Sequence, residues 1–315
     1  MQSTYTINIA GLAIDVYIEN GFKNVKDFIG VFRIENVKHQ DTKIKINFLK
    51  GTNRKLELSK DWESLSISGD IDDLLDPFNL IGITQAVFRF AAIHLGKRNI
   101  FLLHGSAAVL DNQIVYFGDD GSSIAKTLGS LEIALESKLY VADEFCFFDA
   151  QNQKVSGYPF IPIHIRPIVK EHLKSKHNLI VPKDNYKETE AGEFIKLEKL
   201  FKIASGKLNI LSYIHFSNGG PSIEVLSQEE AYKSFKFCIT SHIAKLLYPE
   251  LDRMQFMAMS DANILKSIDE VLVDNIFKKI TKNGINPKIL KNLMSYKLIV
   301  SEPCQIIPLL RAKIL

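Results

Sequence analysis

The chain has 315 residues, 46% of them hydrophobic and 24% charged, which suits one sizeable core plus a smaller module and excludes a disordered chain. Its 39 basic and 36 acidic residues leave a net charge of +3, a balance that argues against nucleic acid or an anionic membrane as the main partner. The three cysteines, Cys146, Cys238 and Cys304, lack the paired spacing of a zinc site or a disulfide framework and fit a reducing cytoplasm.

The N-terminal stretch "MQSTYTINIAGLAIDVYIEN" alternates polar and apolar residues without a basic start and unbroken apolar centre, so it predicts a strand pair and not a signal peptide. No apolar run has the length of a membrane span. From Thr4 to about Ser68 the short alternating runs, broken by Gly, Asn and Asp, predict an antiparallel β module, assigned to residues 1–78. "LIGITQAVFRFAAIHLGKR" follows with Ile83, Val87, Phe90, Ala91 and Leu95 at helical spacing, and ends at Gly96 and two cations.

Residues 79–250 read as the central α/β core. "IFLLHGSAAVL" and "QIVYFGDD" are two buried strands joined at Asp111-Asn112, a dipeptide suited to a tight hairpin. A helix containing Leu128 to Glu136 leads to "KLYVADEFCFFD", a buried strand ending in acids, then a turn at "AQNQK" and the segment "VSGYPFIPIHIRPIV". Strand, loop, helix and acid-ended strand is the order of a nucleotide-binding α/β core. Residues 172–207 read as charged helix or loop with His172 and His177 solvated, and "KLNILSYIHFS" as a further central strand. The turn "NGGPS", the strand "IEVLS" and an amphipathic helix from Gln228 to Leu247 complete the core. The tail, 251–315, has the helix, Asn-Gly turn, Pro287 helix and strand punctuation of a winged-helix unit, with Ile276, Ile280, Ile289 and Leu293 as core. The fold class is therefore α/β with α+β elements, a mixed-sheet core between a β module and a helical tail.

"YFGDDGSSIAKTLGS" contains an altered phosphate loop. The spacing G-x-x-x-x-G-K-[ST] gives backbone N–H groups, a lysine for the phosphates and a hydroxyl for Mg²⁺. Counted from Gly118, its last three slots hold Ser123, Ile124 and Ala125. A shifted frame recovers Lys126 and Thr127 but puts Asp120 and Ala125 in the glycine slots. A two-residue insertion keeps Gly118 and Gly121 together with Lys126 and Thr127. The simplest expectation is loss of the motif, with Lys126 a solvated residue of the first helical turn. A glycine turn feeding a helix N-terminus still offers N–H groups to an anion.

His104, Asp143 and Glu144 fall at strand ends beside this loop, where a base and metal contacts would serve phosphoryl transfer. The plainer alternative is a hydrogen-bonded core histidine and a turn-anchoring aspartate. His164 and Arg166 share one strand face, either to meet a phosphate or carboxylate or to face water at a sheet edge. Ser106 lacks a nucleophile elbow, and the eight histidines form no metal-ligand spacing.

The ordered run "LLHGSAAVLDNQIVYFGDDGSS", "LYVADEF" and "GYPFIPIHIRP" resembles the HPr kinase/phosphorylase family, whose core is of the phosphoenolpyruvate-carboxykinase type. Residues 79–247 carry the resemblance. It implies that His104 is the family's strand histidine, that Gly118, Asp119, Gly121 and Ser122 begin its loop, and that Asp143 is the first acid of its acidic pair, with Glu144 in place of the second. Gly157, Pro159 and Arg166 match the later strand. The family's second loop glycine, lysine and serine are absent from their usual slots, leaving Lys126 and Thr127 as the nearest substitutes. The resemblance implies an ATP- and Mg²⁺-dependent phosphotransferase acting on Ser or Thr of a peptide or small protein, such as a precursor peptide of a natural-product pathway. Asp143 would be base and metal contact there, and His104 a supporting group. The altered loop equally suits a pseudokinase that serves as scaffold or leader-peptide carrier. Whether the chain forms a homo-oligomer is left open by the sequence.

Overall fold

The computed structural model describes residues 2–22, 32, 43–53, 55–70, 77–118, 123–157, 163–165, 167–177, 186–189, 192–195, 200–248, 268–281, 290 and 292–314. In chain order its elements are β1 (Gln2–Ile9), β2 (Leu12–Glu19), β3 (Lys45–Lys50), β4 (Lys55–Leu58), β5 (Ser64–Gly69) and α1 (Pro77–Gly96). Next come β6 (Ile100–Leu110), β7 (Gln113–Gly118), α2 (Ser123–Ser137), β8 (Leu139–Ala142), β9 (Phe145–Asp149), β10 (Lys154–Gly157), β11 (Ile163–Ile165) and α3 (Pro167–His177). The remainder are β12 (Tyr186–Thr189), β13 (Gly192–Ile195), β14 (Lys202–Ile203), β15 (Gly206–Phe216), β16 (Ser222–Val225), α4 (Gln228–Leu247), α5 (Glu270–Ile280), β17 (Met294–Val300) and α6 (Ile306–Ile314). No described helix is long and apolar enough to cross a membrane. The expected mixture of helix and mixed sheet is present.

The chain forms two compact units, each from two pieces: residues 1–98 with 241–282, and residues 99–240 with 283–315. The first holds a five-stranded sheet in the order β1-β2-β3-β5-β4. β1 and β2 form the expected strand pair, turning through Ala10 and Gly11, both at positive φ. Alternation buries Ile7, Ile9, Leu12, Ile14, Val16 and Ile18. The sheet is mixed and not antiparallel, because β3 runs parallel to both β2 and β5. The stretch 20–44 between β2 and β3 is long enough for a crossover, which a tight hairpin cannot provide. α1 buries Ile83, Val87, Phe90, Ala91 and Leu95 as its periodicity requires.

His94, near the end of α1, is 6% exposed. Burial, then the nearby Lys97 charge, hold its imidazole down at about 4 against an ordinary 6.5. The unfolded chain therefore takes the proton first, and stability falls as pH drops from 6.5 towards 4. At pH 5 this group is expected to cost about 2 kcal/mol relative to neutral pH. Urea unfolding of wild type and His94→Gln across this range should show a shallower acid slope in the variant.

The second unit holds a nine-stranded mixed sheet. The long strand β6, buried on both faces, pairs antiparallel with β7, β8 and β9. β9 pairs with β10, β10 with β15, and β15 with β7, so five strands close a circuit. The β6–β7 hairpin turns at Asp111 and Asn112, whose φ angles of 47° and 65° suit a two-residue turn. "KLYVADEFCFFD" is two strands, β8 and β9, and not one: Glu144, at φ 62°, breaks the run.

α2 packs against β6, β7 and β15, burying Leu128, Leu131, Ile133 and Ala134 in the main core with Phe117, Ile214 and Leu298. The tail has the expected helix α5, with Ile276 and Ile280 buried, and Leu293 is buried too, while Ile289 lies outside the described residues. Its strand is not the wing of a separate winged-helix unit. β17 lies within the core sheet, parallel to β15 and antiparallel to β16. Within the stretch 172–207, β12 and β13 form strands where helix or loop was expected, and they join β11 in a small sheet, β11-β13-β12.

Candidate functional site

In the apolar strand β6, His104 and Ser106 are two residues apart and therefore share a face. That face meets the first turns of α2, where the Ser106 hydroxyl donates to the Lys126 carbonyl. Lys126 is buried, against the expectation of a solvated lysine, because its side chain runs inward to place Nζ 2.9 Å from His104 Nε2. A buried ammonium requires compensating partners. Glu144 supplies a carboxylate, with Oε1 3.3 Å from His104 Nε2 and Oε2 3.9 Å from Lys126 Nζ.

The next residue, Thr127, makes the second link. Its hydroxyl donates to Asp143, at 3.0 Å from Oδ1 and 3.3 Å from Oδ2. One turn on, the Ser130 hydroxyl bonds the Thr127 carbonyl and Tyr140 Oη on β8, fixing the start of α2 to the strand that delivers Asp143. Asp143 and Glu144 lie in the turn between β8 and β9, closed by the Phe145 N–H donating to the Asp143 carbonyl at 2.7 Å. The left-handed backbone at Glu144 sends the two adjacent carboxylates to different partners, Asp143 to Thr127 and Glu144 to the His104–Lys126 pair. Desolvation, then the neighbouring Glu144 charge, push the Asp143 carboxyl up to about 6, with Lys126 and the Thr127 hydroxyl acting in the opposite direction.

His104, Lys126, Thr127, Asp143 and Glu144 are thus brought together. Gly118 ends β7, and a Cβ there would lie 2.3 Å from the Tyr213 ring, so its glycine serves packing against β15. Asp119, Gly121, Ser122, Pro159 and Arg166 lie outside the described residues, as does the His164 side chain on β11. The Ser106, Ser130 and Tyr140 supports escaped sequence reasoning, although the two-residue offset of Ser106 from His104 on a buried strand is a usable signal. His172, expected in water, is mostly buried and pairs closely with Glu132 of α2, which sequence distance conceals.

The donor set contains the chemical types that a phosphate and a hard cation require. Thr127 and Asp143 offer the hard oxygen ligands magnesium takes, and Lys126 offers a point charge for phosphate. Asp143, with its raised carboxyl, suits proton acceptance from a hydroxyl. No protein-family model and no curated protein matches the chain.

Proposed function

We propose that this protein is an HPr-kinase-like phosphotransferase that moves the γ-phosphoryl group of ATP to a Ser or Thr of a peptide or small protein. The observation that carries this proposal is the Thr127–Asp143 bond beside Lys126, at the start of a helix that follows a glycine-ended strand. A phosphate loop pairs its lysine and hydroxyl with an acid on a neighbouring strand in the same way. The geometry therefore favours the insertion or shifted frame, in which Lys126 and Thr127 act as the loop's lysine and hydroxyl. Bound ATP and Mg²⁺ would supply the phosphoryl group and charge neutralisation. Lys126 would contact phosphate, Thr127 and Asp143 would hold the metal, and Asp143 would accept the proton of the acceptor hydroxyl. His104 keeps the Lys126 side chain in place.

One observation favours a second reading. Lys126 is already compensated by His104 and Glu144 inside the protein, as a retired phosphate lysine would be. In that case the chain is a pseudokinase, holding a peptide or partner enzyme without nucleotide chemistry.

Calorimetric titration with ATP and Mg²⁺ separates the two. Micromolar binding that disappears in Lys126→Ala and Asp143→Ala is expected. Heats indistinguishable from dilution in the folded wild type would sink the kinase proposal and leave the scaffold.

A further inference from the structure

The His104–Lys126–Glu144 cluster has an asymmetry that the kinase chemistry does not require. His104 and Lys126 side chains are 3% and 2% exposed, whereas that of Glu144 is 27% exposed. Two of the three groups are fixed in the interior, one on a central strand and one on a packed helix. The third stands in a two-residue turn and can leave without unpairing a strand. Its backbone is also in the left-handed region at φ 62°, a conformation unfavourable for a residue with a Cβ and common where a site stores strain.

We propose that Glu144 is an internal plug of the anion site: its carboxylate stands at Lys126 and His104 in place of a polyphosphate oxygen and withdraws when the polyphosphate enters. This rests on the proposed function, since it assigns the same lysine to phosphate. The physical basis is exclusion of like charge. A carboxylate 3.9 Å from Lys126 Nζ in a poorly solvated site cannot remain beside a polyphosphate bound to the same ammonium. The plug also keeps a buried ammonium compensated while the site is free of ligand, which an empty anion site would not do. It sets a threshold too. The entering ligand must replace the charge Glu144 gave up, so a multiply charged polyphosphate enters and a singly charged anion does not.

The test uses the full chain and inorganic tripolyphosphate without metal, titrated by calorimetry into wild type, Glu144→Gln, Glu144→Ala and the double variant Lys126→Met/Glu144→Gln. Removing the carboxylate should tighten binding about 10-fold or more, which is about 1.4 kcal/mol or more of relieved like-charge repulsion. The gain should vanish when Lys126 is also replaced. Glu144→Gln preserves the side chain's shape, so a fold lost in Glu144→Ala, seen by circular dichroism, does not remove the test. Binding unchanged or weakened in Glu144→Gln overturns the plug, as does absence of binding in every form. Failure of the two ideas is distinguishable. Tripolyphosphate binding tightened through Lys126 in a protein that transfers no phosphate sinks the kinase and keeps the plug. Lys126-dependent ATP binding with no gain in Glu144→Gln sinks the plug alone.

Discussion

Asp143→Asn is expected to lower γ-phosphoryl transfer from ATP by about 10³-fold while leaving the protein folded, the range seen when a positioned base is removed. At subsaturating Mg²⁺ the wild-type rate should rise with pH through about 6 and level off above it, because below that point the Asp143 carboxyl of the metal-free protein carries a proton and can neither take up the metal nor accept another proton. Initial rates of γ-phosphate loss from ATP between pH 5 and 8 measure this directly. A wild-type rate flat across that range would remove Asp143 from the role of base. Its stability counterpart has the opposite sense. The folded carboxyl sits above its ordinary 3.8, so the folded state holds the proton longer than the unfolded chain does. The group thus opposes folding increasingly as pH rises from 3.8 to about 6, and the cost persists at neutral pH. Asp143→Asn should therefore be at least as stable as wild type at pH 8. A stabilised but inactive variant marks a residue kept for chemistry.

The second large effect is expected at Gly157. A Cβ there would lie 1.9 Å from the Val141 carbonyl oxygen and 2.7 Å from Ala142 Cβ, both on the strand that leads into Asp143. Backbone cannot swing aside as a side chain can, so β10 and β8 must separate. Gly157→Ala should cost about 3 kcal/mol in urea unfolding, the upper part of the usual overpacking range. Because the displaced strand carries Asp143, ATP affinity should fall with it. Gly220→Ala is the matching control. No atom stands within 4 Å of its added methyl, and it should leave both measurements unchanged. Equal stability of the two variants would mean that the β8–β10 approach is loose.

What the sequence conveyed was mainly local. The hairpin at Asp111-Asn112, the periodic faces of α1 and α5, and the bounds of α4 all follow from neighbours a few residues apart, and patterning sees those well. Strand direction depends on connections instead. Alternation in β2, β3 and β5 is the same whether they run parallel or antiparallel, so the mixed order of the first sheet was hidden. The break at Glu144 was hidden for a related reason. "YVADEFCFFD" is apolar enough to read as one strand, and no glycine or proline marks the turn, because a glutamate takes the left-handed position. The site was legible in its membership and not in its environment. Order along the chain grouped His104, Asp143 and Glu144, yet burial of Lys126 depends on a strand 22 positions earlier that offers it a histidine. A lysine in the first turn of a helix gives no local sign of which way it points.

Placement of β17 inside the sheet has a consequence for how the protein is made. Residues 210–216 of β15 pair with residues 294–300, which leave the ribosome much later, and among the described residues β16 joins the sheet through β17 alone. Until then the nascent core shows an apolar strand edge and lacks the cover of Leu298, Val300, Ile306 and Leu310. Slow, non-local closure of this kind exposes a chain to wrong pairing with its neighbours. Production at low temperature and low expression rate should accordingly yield more correctly assembled protein than rapid synthesis, and a nascent chain stalled before residue 294 should be readily digested by protease.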